Sequence, residues 1–68
     1  MRLFHLFRRE DVTGISGVGI IAEGVQFTDG TCVMRWKTNT TSTAVYNSIT
    51  DLEVIHGHNG ATVVLWKD

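Results

Sequence analysis

Proline is absent from this 68-residue chain, and cysteine occurs once, at position 32. A lone thiol excludes an intrachain disulfide. Cys32 sits between Thr31 and Val33 in a strand-like run, the setting of a buried, inert thiol. With no positioned base beside it in sequence, a catalytic thiolate is not expected. Neither sign of charge is in excess either. Six Lys and Arg against seven Asp and Glu give a formal net charge of −1, which excludes a general electrostatic affinity for nucleic acid or an anionic membrane. The one basic cluster, Arg8-Arg9, runs directly into Glu10-Asp11 and reads as a solvated loop. Long apolar runs are lacking as well. The stretch from Met1 to Arg8 is too short for a signal peptide, and nothing approaches a membrane span. Asn39-Thr40-Thr41 has the form of a glycosylation acceptor, but without an export signal it counts as chance. The expected setting is the cytoplasm.

What is present is a hydrophobic fraction of 43% against 19% charged residues, the proportions of a packed globule. Residues 1–68 read as one small β-rich domain. A domain of this size buries only about 60% of the surface its unfolded chain exposes, so self-association is expected.

The coarse reading is strand, glycine-rich loop, hairpin, strand, short helix, strand. Leu3 to Arg8 is crowded with apolar residues and reads as a strand buried on both faces or covered by a partner chain. Asp11 to Gly19, with Gly14, Gly17 and Gly19, reads as a loop. From Ile20 to Phe27, alternation puts Ile21, Val25 and Phe27 on one face, where Glu23 is the misfit. Gly24 inside that strand marks a bulge or a close backbone approach. Thr28-Asp29-Gly30-Thr31 signals a tight hairpin turn. The returning strand, Thr31 to Lys37, puts Cys32, Met34 and Trp36 on one face and Val33, Arg35 and Lys37 on the other. Thr38 to Ser42 is a polar connection, and Thr43 to Tyr46 a short strand. Ser48 caps a helix with Asp51 as its capping partner and Gly57 at the C′ position. Ile49, Leu52, Ile55 and His56 form its apolar face. Ala61 to Trp66 is the last strand. The fold class is therefore mainly β with one short helix: a small curled antiparallel sheet, or an SH3-like barrel, of about five strands.

Chemistry-bearing patterns are few. Gly17-Val18-Gly19-Ile20-Ile21-Ala22 matches a dinucleotide-binding fingerprint, but a strand follows it where the motif needs a helix. His56-Gly57-His58 is the best metal pair, yet no further ligand stands at a telling spacing, and a histidine at a helix C-terminus is favourable without a metal. Gly14-Ile15-Ser16-Gly17 is one residue off a nucleophile elbow. Asp51 and Glu53, two apart on a helix, do not converge as an acid–base pair. No catalytic residue, metal or cofactor is expected. The candidate binding residues are Arg35, Trp36, Tyr46 and Trp66, of the types that dominate interfaces, together with His56 and His58. Because Arg35 and Trp36 point to opposite faces, one of them must meet solvent, a partner or a ligand.

The runs Ala22-Glu23-Gly24-Val25, Asp29-Gly30-Thr31, Arg35-Trp36 and His56-Gly57-His58 occur in an order that resembles a group of short, uncharacterised proteins of actinobacteria and bacteriophages. The resemblance spans nearly the whole chain; it departs at Val18-Gly19, where a further small polar residue is expected. It implies a setting, the host cytoplasm in the case of a phage protein, and no mechanism. Two readings of function follow. In the first, a non-enzymatic, homo-oligomeric accessory module engages a host protein. In the second, a small nucleotide-like ligand is sequestered at a subunit interface, with Arg35 on phosphate and Trp36 or Tyr46 stacked on a base.

Overall fold

Period-two alternation and one Asp-Gly turn account for most of the architecture. The computed structural model describes residues 1–9, 18–37 and 40–67. Among these residues, five strands form one open antiparallel sheet: β1 (Arg2–Arg8), β2 (Gly19–Gln26), β3 (Cys32–Trp36), β4 (Thr43–Tyr46) and β5 (Thr62–Trp66), in the order β4-β3-β2-β1-β5. A helix, α1 (Ile49–His56), and a single 3₁₀ turn (His58–Gly60) carry the chain from the β4 edge back to β5. The expected mainly-β fold with one short helix is met, as an open sheet. The expected glycine loop at residues 11–17 and Glu10 lie outside the described residues, as do Thr38 and Asn39.

The β2–β3 hairpin forms where Asp29-Gly30 was expected to turn the chain. Phe27 N–H donates to the Thr31 carbonyl at 2.8 Å, and Gly30 N–H closes a turn on the Phe27 carbonyl at 3.0 Å. Gly30 has φ 96°, which a side chain disfavours, so the loop is the three-residue form with a left-handed third position. Asp29 fixes it from the side, its carboxylate accepting from Thr31 N–H at 2.9 Å.

One face of the sheet holds the core. Phe4, Leu6, Ala22, Met34 and Leu52 are each at most 1% exposed, and Ile21 joins them at 4%. Leu52 is the single buried residue of α1, and it seats the helix on that face. Cys32 is buried with the core residues, and burial pushes its thiol above the ordinary value, the inert state expected of it.

Several expectations are corrected here. The β1–β2 register shifts between Leu6 and Phe7, so Leu6 pairs with Ala22 and Phe7 with Ile20. Ile21 is the extra residue of a bulge, and its carbonyl accepts from Lys37 N–H at 2.8 Å. The bulge buries Ile21 and Ala22 in succession, and Glu23 falls with Val25 on the outer face, where it is exposed and no misfit. Gly24 is not the bulge: a methyl there would stand 2.7 Å from the Val33 carbonyl oxygen and would clash with the Cζ end of the Phe4 ring, so the glycine serves a close approach. Within one chain β1 is buried on one face only, with Leu3 60% exposed on the other. Arg8 does not belong to a solvated loop. It is buried at the end of β1, and its Nε donates to the Thr62 hydroxyl at 3.4 Å.

Ser48 caps α1 as expected, its hydroxyl accepting from Asp51 N–H at 3.1 Å. Gly57 ends the helix in right-handed conformation. The left-handed steps come later, at Asn59 (φ 55°) and Gly60 (φ 93°). Ile55 is not on the packed face.

Candidate functional site

Trp36 and Tyr46 close β3 and β4 on the core-facing side of the sheet, and Ser48 turns the chain into α1 two residues after Tyr46. The helix therefore runs back beside β4, and its last turn returns His56 to Tyr46. The Tyr46 hydroxyl and His56 Nε2 share a hydrogen bond of 2.6 Å, in which the donor follows from the imidazole tautomer. The Tyr46 ring meets His56 edge-on at 5.6 Å, and Trp36 meets the same imidazole edge-on at 5.0 Å. These are the tilted geometries that ring quadrupoles favour. Burial pushes the Tyr46 hydroxyl above the ordinary phenol value, so it stays protonated at neutral pH.

This trio supports an open cavity of about 270 Å³ at the β4 edge, lined by Val45, Tyr46, Asn47, Asp51, Val54 and Ile55. Its rim is apolar and accessible: Val45 is 67% exposed, Val54 78% and Ile55 57%. Asp51 adds an exposed carboxylate on the helix side. The cleft thus pairs an apolar lip with a polar floor and one negative charge.

The other candidates lie elsewhere. Trp66 ends β5 across the sheet, edge-on to Phe4 at 5.6 Å, with the Arg2 guanidinium 3.9 Å from its ring centre. Arg35 is on the outer face, donating to the Thr43 hydroxyl at 2.9 Å and the Thr41 hydroxyl at 2.8 Å. The His58 side chain lies outside the described residues. Six residues chosen by type therefore divide. Trp36, Tyr46 and His56 come together, while Trp66 and Arg35 stand apart from them. A single chain does not join Arg35 to Trp36 or Tyr46 around one ligand.

Val54 and Ile55 were missed as surface residues. The signal was available, since at about 100° per residue Ile55 lies about 90° from the stripe of Ile49, Leu52 and His56, and Val54 lies nearly opposite it. Among the described residues, no three His, Cys, Asp or Glu side chains gather as a metal site. No described helix is long and apolar enough to cross a membrane.

Fold and site together define a small, mainly-β domain with a cleft beside Tyr46 on one sheet edge. Its whole length, residues 1–68, matches a family model described as Acb5 phage protein, and the chain belongs to that family. The phage setting that the motifs imply is thereby met. No curated protein and no solved structure matches the chain.

Proposed function

We propose that this phage protein is a non-enzymatic accessory module that works in the host cytoplasm by docking a host protein in the cleft beside Tyr46. The observation that carries the reading is the exposure of Val54 and Ile55 on α1 beside a floor held by the Tyr46–His56 hydrogen bond. Two adjacent apolar side chains of one helix left in water about one concavity mark a contact surface rather than scattered surface residues. A half-buried tyrosine at its base is the residue type that anchors interfaces. Asp51 sets the chemistry of the occupant, which is an apolar side chain flanked by Lys or Arg.

The test is reconstitution with purified components. Cross-linking in infected cells nominates a host protein, and calorimetry measures its affinity for the purified phage protein. Val54→Asp and Ile55→Asp should each weaken that affinity by about thirtyfold, the size of a hot-spot loss of about 2 kcal/mol. Because both residues are exposed, folding stability should change by no more than about 0.5 kcal/mol. A nominated partner that binds both variants as tightly as the parent rules out the cleft.

A further inference from the structure

We infer that the outer face of the sheet is the interface between two copies of this chain, stacked face to face. α1 covers only the opposite side. An antiparallel sheet with one wet face ordinarily alternates apolar-in and polar-out, yet here a cross-strand row on the outer face runs Val45, Val33, Val25, Leu3. Val45 is 67% and Leu3 60% exposed at its two ends. Small domains bury such a layer against a second one.

Charge placement selects a second copy as the occupant. In the neighbouring row Arg35 and Glu23 are direct cross-strand partners on β3 and β2. A two-fold axis lying between the two sheets, parallel to the strands and midway between β2 and β3, exchanges these two positions. Arg35 of each copy then faces Glu23 of the other, Val33 faces Val25, and Val45 faces Leu3. The interface is isologous, with the strands of the two sheets near the aligned packing angle of about −30°. A face with this pattern is complementary to itself.

The area suits a modest dimer. Four overlapping strands about 4.8 Å apart, limited to about 15 Å in length by the five residues of β3 and the four of β4, project roughly 300 Å², and more as accessible surface because side chains stand out of the plane. That lies at the small end of specific interfaces, so the dimer should dissociate on dilution.

Sedimentation and native mass spectrometry across about 1–500 µM, a range suited to an interface this small, test the proposal. The parent chain should pass from monomer to dimer. Arg35→Glu leaves two acids on the face and Glu23→Arg leaves two bases; each alone should weaken dimerisation on the order of tenfold or more. Mixed in equal amounts, the two variants should form a one-to-one heterodimer, because the Glu placed at 35 then faces the Arg placed at 23 on one half of the axis and the original Arg35 faces the original Glu23 on the other. Val33→Asp, which keeps the charged row intact, should also be monomeric, with circular dichroism reporting the retained fold. A parent chain that is monomeric throughout overturns the inference. So does a dimer that tolerates these substitutions, or two reversed variants that do not pair.

Discussion

Gly24 shows how much one missing methyl can decide. Phe4 lies across the glycine on the buried face, and the backbone carbonyl of Val33 closes the other side. A methyl at position 24 would meet both, and neither is a loose side-chain end. Phe4 is 1% exposed at the centre of the core. Gly24→Ala should therefore cost about 1–3 kcal/mol by overpacking, although alanine suits a strand better than glycine does. Urea unfolding of the two proteins measures the difference. Equal midpoints would mean that Phe4 has room to move. At this scale the sequence was half legible. A glycine inside a strand announced a special position, and a bulge and a close approach were equally good readings of it. The ring of Phe4, twenty residues away, decided between them.

Elements were more legible than single residues, because alternation and turn chemistry are local. Asp29-Gly30 placed the hairpin, and Ser48 placed the start of α1. An eight-residue helix is too short to persist on propensity, so its cap and its one buried residue, Leu52, have to hold it. Ser48→Ala leaves the Asp51 N–H without its acceptor and should cost about 1 kcal/mol. Ser48→Asp should keep most of that, since a carboxylate accepts in the same place and suits the helix N-terminus. Thermal unfolding of the three proteins in parallel gives the ranking, and an alanine variant as stable as the parent would remove the cap from this account. What alignment of apolar residues could not show was the bulge at Ile21. It inserts one residue, flips the alternation of β2, and moves Glu23 from an apparent core position to the outer face. A slip of one residue changes which side every later side chain occupies. The candidate site inherits the same limit. Trp36, Tyr46 and His56 were chosen for their types, but only the return of α1 past β4 brings them together, while Arg35 stays on the far face.

For the molecule as a whole, the ionisable groups with resolved shifts set the pH range of stability. Burial raises the Cys32 thiol above its ordinary 9.0 and the Tyr46 hydroxyl above its ordinary 10.0. In the unfolded chain both groups lose their protons first, so above about pH 9 the unfolded state is favoured progressively. The stability they contribute is complete below the unfolded values and is lost as pH rises through the folded ones. Asp29 acts in the opposite sense. The Thr31 N–H holds its carboxyl below the ordinary 3.8, so its contribution is present above that value and lost as pH falls through the lower, folded one. It is fully exposed, and its part is the smaller. The melting temperature should thus fall on the alkaline side, beginning at about pH 9. Tyr46→Phe removes the phenol that titrates and should leave a shallower alkaline limb, whatever it does to the plateau. A melting temperature that holds to about pH 11 in the parent would show that neither group is shielded from water as the packing of β3, β4 and α1 requires.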